Sequence, residues 1–302
     1  MTGLARALGA LVLVAPVLGG CATYDMLKAP PAVDKPIAVA VAADGASGWS
    51  DLPIGVYRVP NTDVIIAGHQ SGGGIGMLFG IVGVVAEDAI ETSAGHDKVK
   101  DQLAALTIDL KPQAAMLARA AVASGRYGTV FTATPAPDSP VLSITPYTVI
   151  TYVNDTDVRP YVIVKAELKG GGQKWSTRYI ASHGAPLPLS GANSLTADGG
   201  AALKAATARD LERAIAVMLD DVANRHPRDG KTMVYVETGF PFLRQRMAIT
   251  GDKLGEDDAT VVFAPKVADA IVFAGIDIID KAVVTVRPAT PDDKAKMLDE
   301  GK

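Results

Sequence analysis

Residues 141–181 constrain the fold more than any other part of this chain. From 141 to 153 apolar and β-branched side chains alternate with others, so that Leu142, Ile144, Thr148, Ile150 and Tyr152 share one face. A period of two with this composition is the mark of a strand with a buried face. Asn154-Asp155-Thr156-Asp157 supplies a turn, 158–168 pairs back, and Gly170-Gly171-Gly172 turns the chain into 173–181. Strands joined by turns this short pair antiparallel, so the segment reads as a meander.

Around the meander the period changes. Residues 97–108 and 112–123 have helical composition, with Gly125 placed as a C-cap. Residues 200–225 form the clearest helix: Leu211, Ile215, Met218, Leu219 and Val222 fall on one apolar stripe. Short strands are expected at 37–41, 63–67 and 130–134. The fold class expected for 37–226 is therefore α+β, a mostly antiparallel sheet packed by helices. After Gly230 five short β runs follow at 232–237, 243–250, 259–264, 270–275 and 282–287. Their spacing resembles that of an SH3-like or Sm-like barrel, which implies a small all-β domain over 231–287. His226-Pro227-Arg228-Asp229-Gly230 reads as the boundary and 288–302 as a charged tail.

The start of the chain carries an address. Arg6 precedes an apolar segment, Leu8 to Leu18, which ends in Gly19-Gly20-Cys21. A basic start, a short apolar run and small residues before a cut make an export signal, residues 1–20. Leu18-Gly19-Gly20-Cys21 resembles the lipobox of bacterial lipoproteins. The resemblance implies that Cys21 is acylated and becomes the mature N-terminus, a membrane anchor. Ala22, not Asp, follows, which by the same resemblance implies the periplasmic face of the outer membrane. Residues 21–36, with three prolines and no periodicity, suit a tether.

Cys21 is the sole cysteine, so no disulfide within one chain staples the body. Once Arg6 leaves with the signal, 28 Lys and Arg face 33 Asp and Glu, a balance of about −5. The charges are scattered without a basic stripe, so nucleic acid is not an expected partner.

The strangest stretch is 70–91, QSGGGIGMLFGIVGVVAEDAIE. Gly72, Gly76 and Gly80 are four apart, which on a helix puts them on one face and allows close backbone approach; Leu78 and Phe79 lie between them. The apolar part, 75–86, is too short to span a bilayer. Burial against the sheet and exposure as a partner or membrane contact both remain open. Gly68-x-x-x-Gly72-x-Gly74 and Tyr161-Val-Ile-Val-Lys165 are similar to short-chain dehydrogenase patterns. Within a strand, however, Tyr161 and Lys165 stand about 13 Å apart, too far to share a proton.

No catalytic, metal or cofactor constellation is legible. His69, His96, His183 and His226 are not at metal-ligand spacing and sit beside turn-like residues, so exposure is their expected state. The acidic pairs Asp220-Asp221 and Asp257-Asp258 read as solvated charge. The body resembles lipoproteins that assist envelope transporters and those related to the curli secretion channel. That likeness implies a non-enzymatic accessory or assembly component with an envelope protein partner or a second copy. An envelope hydrolase, or a binder of small molecules or glycans, is the alternative.

Overall fold

A computed structural model describes residues 26–48, 51–69, 84–226, 228, 230–266 and 271–298. The meander is present as β5 (Val141–Tyr152), β6 (Asp157–Gly170) and β7 (Gln173–Ser182). It is antiparallel throughout, with Ile144 opposite Ala166 and Val164 opposite Tyr179. On one edge of β5, β1 (Ile37–Val41) pairs in parallel with 141–144 and β3 (Val64–Ala67) with 148–151. β2 (Tyr57–Arg58) flanks β3, β4 (Phe131–Thr132) flanks β1, and β8 (Leu187–Pro188) meets the start of β6.

Two prolines sit inside these central strands, where a missing N–H should break the ladder. Both fall at gaps. Thr148 donates its N–H toward Asp63, on the β1/β3 edge, and by two-residue alternation Pro146 faces the same edge, between the end of β1 and the start of β3. Pro160 likewise lies between the β8 contact at Val158 and the β7 contact at Val162.

The C-terminal strands are β9 (Met233–Thr238), β10 (Met247–Glu256), β11 (Thr260–Pro265), β12 (Ile276–Asp280), β13 (Thr285–Pro288) and β14 (Lys296–Met297). They do not form a separate barrel. β12 pairs in parallel with β7, Ile276 beside Tyr179 and Ile279 beside Ser182, so one mixed sheet of 14 strands takes in both halves of the chain. Among the described residues strand exceeds helix, 34% against 23%. The expected helix-packed antiparallel sheet followed by a small all-β domain is thus corrected to a single large mixed sheet. Alternation specifies that a segment is a strand but not which edge it joins. The β7–β12 edge also depends on a backbone detail: Gly275 has φ +142°, and a Cβ there would lie 2.6 Å from the Arg178 carbonyl oxygen.

Three α-helices occur among the described residues: α1 (Val84–Val99), α2 (Lys111–Ala123) and α3 (Ala197–Val222). The first turn of α3 is irregular, with Asp198, Gly199 and Gly200 at positive φ. Leu203, Leu211, Met218 and Leu219 of its stripe are fully buried, each worth roughly 1.5–3 kcal/mol of transfer from water. They pack on β6 and β7, while Ala114 and Ala118 of α2 complete the same core with Leu142, Ile144 and Val164. The helix expected over 97–108 instead ends at Val99 and turns through Lys100–Gln102, because Val99 and Leu106 are both drawn fully into this core.

A second core lies on the other face. Tyr147, Val149, Tyr161 and Ile163 from the meander cluster there with Val234, Val236, Ile249 and Phe263 from the C-terminal strands, so the sheet curls over itself. Val272 and Phe273 are consecutive and both buried in this cluster. Adjacent residues of a strand face opposite sides. The strand expected at 270–275 is accordingly a 3₁₀ turn, Ile271–Phe273, and the strand begins at Ile276. Arg178 is fully buried here and donates from Nε to the Ala274 carbonyl at 2.9 Å.

Candidate functional site: the far end of the sheet

Cys21, Gly72, Gly76, Leu78, Phe79 and Gly80 lie outside the described residues. The histidines are described: His96 is exposed, as expected, whereas His69, His183 and His226 are half-buried. His69 Nε2 is 2.9 Å from the Glu91 carbonyl, and burial holds its pKa below the usual value. His96 packs edge-on against Tyr57 at 5.4 Å, and His226 Nδ1 lies 3.3 Å from the Leu254 carbonyl. The acidic pair at 220–221 is also split by its surroundings. Asp220 meets the exposed Arg126 and Arg225, whereas Asp221 is 1% exposed and accepts from Tyr179 Oη at 2.6 Å and Arg228 at 2.5 Å. Tyr161 and Lys165 stand on one face of β6, as the strand reading required, and Lys165 ion-pairs with Asp51 at 2.8 Å.

His183, half-buried, lies where two strand ends meet. Because β7 and β12 run parallel, their C-terminal ends lie side by side, and the residues that follow meet there. His183 Nδ1 is 2.8 Å from Asp280 Oδ2. Asp280 also accepts N–H groups from Gly184 at 3.1 Å and Ala282 at 2.9 Å. Burial pushes the Asp280 carboxyl up, but these donors, His183 and Arg213 together hold it below the usual range. Burial and the nearby Arg209 hold His183 low despite Asp280. A neutral ring donates Nδ1–H to Asp280, which rules out Nδ1 as an acceptor for Arg213, 3.3 Å away.

Asp210 of α3 belongs to the same neighbourhood. It is 1% exposed and neither carboxylate oxygen has a hydrogen-bond partner among the described residues. Burial, against the pull of Arg209 and Arg213, pushes its pKa up to about 7. A buried carboxyl poised near neutrality beside two arginines is a feature that clusters at functional sites.

Next to this cluster a groove of about 600 Å³ opens between the ends of β9, β10, β11 and β13. Met233, Val234, Val261, Val284 and Val286 give it an apolar floor; Lys231, Lys253, Lys281 and Arg287 stand around it. Glu256 bridges Lys253 at 2.7 Å and Lys281 at 3.1 Å, and Asp293 takes Arg287 in a two-pronged pair. The rim is thus charged around an apolar floor. Sequence reasoning missed this groove because its cations are spread from residue 231 to 287, each at a strand end, and form no basic run. Among the described residues no three His, Cys, Asp or Glu side chains gather as a metal site.

No family model matches this sequence, and no curated protein matches it either.

Proposed function

We propose that this chain is a lipid-anchored cell-envelope protein that works through protein contacts rather than catalysis, as an accessory or assembly component of a transport or secretion system. The observation that carries the reading is Leu18-Gly19-Gly20-Cys21 closing an export signal. Acylated Cys21 is the membrane partner, on the periplasmic face of the outer membrane. The groove supports a contact role, since an apolar floor ringed by charge is how partner interfaces are built. Its apolar floor and charged rim suit an amphipathic segment of an envelope protein or of a second copy. A photo-crosslinking residue placed at Lys231 in cells tests this. One discrete adduct or a defined homo-oligomer, lost in Lys281→Glu, is the expected result; a strictly monomeric, adduct-free protein would refute it.

A hydrolase draws on one specific observation, the His183–Asp280 pair beside Asp210. Among the described residues, the polar contacts of His183 are Asp280 and Arg213, neither of them a hydroxyl or thiol that the ring could activate. Crosslinking retained in His183→Ala would favour the contact reading, and its loss the site-chemistry reading.

A further inference from the structure

We infer that the folded body sits directly on the lipid surface, with the sheet end around Trp175 facing the bilayer and the groove facing away. The inference rests on the Cys21 anchor proposed above and specifies how that anchor presents the body. Its ground is where the tether stops being free. The composition of 21–36 suits a loose linker, yet the chain is captured from Met26 onward. Met26 is 6% exposed, and its carbonyl accepts from the hydroxyl of the fully buried Thr177. Trp175 donates its indole N–H to the Lys28 carbonyl at 2.9 Å. Further along, Val33 packs against the helix-side core and Lys35 pairs with Asp138.

Covalent geometry then limits the reach. Five residue steps separate Cys21 from Met26, and at about 3.6 Å per step they span at most ~18 Å. A body of this size has a radius of gyration of roughly 19 Å, so its diameter far exceeds that leash. An acyl chain held in the hydrocarbon therefore brings the Met26 dock against the headgroups. β7 sets the polarity. Its pins, Trp175 and Thr177, lie near its start, and His183 follows its end, about 26 Å from Trp175 at ~3.3 Å per residue. The groove and the His183–Asp280 cluster are thus carried at the end away from the membrane, open to a partner. At the near end Lys28, Lys169 and Lys174 are exposed, and Gly170-Gly171-Gly172 makes the turn between them. Cations there are drawn to an anionic leaflet.

The sole-cysteine chain makes the test clean, because acylation occupies that thiol and an introduced cysteine is the one site left to label. Lys174→Cys marks the near end and Asp258→Cys the far end. Each acylated protein, carrying a bimane label, is placed in vesicles of phosphatidylcholine and phosphatidylglycerol containing headgroup nitroxide lipid. Quenching several-fold stronger at 174 than at 258 is expected. Equal quenching, or more at 258, overturns the inference. A flexible insert of Gly and Ser placed before Met26 should erase the contrast; a contrast that survives it would show that the short leash does not set the orientation, and would overturn the inference too. Failure of the unlabelled protein to float with vesicles is a separate readout and would overturn the anchor reading itself, and this inference with it.

Discussion

Asp277→Asn should make the protein more stable than wild type as the pH rises, although the carboxyl it replaces lies near an arginine. Asp277 lies in β12 between β7 and β11, is 3% exposed, and its Oδ2 has no hydrogen-bond partner among the described residues. Burial pushes its pKa up to about 8, and the opposing pull of Arg178 does not offset this. The folded state therefore holds a proton that the unfolded chain has released above its ordinary pKa of 3.8. With more protons bound when folded, stability falls as pH climbs from about 4 to about 8 and is flat above. The slope is about 1.4 kcal/mol per pH unit, so the window sets a ceiling of roughly 6 kcal/mol, reduced by whatever relaxation the site allows. Asparagine has the same shape and no proton to lose. Urea melts of both proteins from acid to mildly alkaline pH give the difference directly. The variant should match wild type near pH 4 and exceed it by about 2–5 kcal/mol near pH 9. A pH-independent difference, or a variant that is weaker at high pH, would refute the reasoning. It would mean that Asp277 is ionised and forms a net-stabilising buried pair with Arg178.

Asp210→Asn should behave in the same direction over a narrower window, from about 4 to the folded value of about 7, with a gain of a few kcal/mol by pH 8 in thermal or urea melts. If Asp210 serves the groove end, that gain comes with weaker crosslinking at Lys231, the usual exchange of function for stability. Arg228→Ala leaves the buried Asp221 carboxyl with Tyr179 as its remaining partner and should cost roughly 3–5 kcal/mol. Because Asp221 can escape by taking a proton, the loss should grow with pH; a cost under about 1 kcal/mol at pH 8 would contradict the pairing. Gly275→Ala forces a Cβ to 2.6 Å from the Arg178 carbonyl at φ +142° and should destabilise by at least ~1–3 kcal/mol in the same melts.

Local elements were legible where one period ran long enough. The meander over 141–181 and the α3 stripe from Leu211 to Val222 both have faces that the side chains declare. Neighbours were not legible. β12 reaches β7 across nearly a hundred residues, and the run Ile276-Asp277-Ile278-Ile279-Asp280 hides two acids that are buried rather than solvated. Short apolar runs failed for a related reason: Val272 and Phe273 are neighbours and both enter the second core, which adjacent residues of a strand cannot do. Buried polar groups left the least trace. Nothing around Arg178 in QKWSTRYIAS marks it as fully buried, since its burial follows from the Asp51 loop and the 3₁₀ turn at 271–273 that close over it. The site at the sheet end is equally a product of topology. His183 and Asp280 lie 97 positions apart in sequence and meet because two strands run parallel.

The anchor is the claim on which the function and the orientation both depend, and one labelling measurement reaches it. Cells expressing the full-length chain, or its Cys21→Ser variant, are grown with a clickable fatty acid, and the protein is recovered from membranes. The account predicts a labelled, processed wild-type protein and a Cys21→Ser protein that is unlabelled and keeps its first twenty residues. Equal labelling of the serine variant, or an unlabelled wild-type protein processed to the same length, would contradict it.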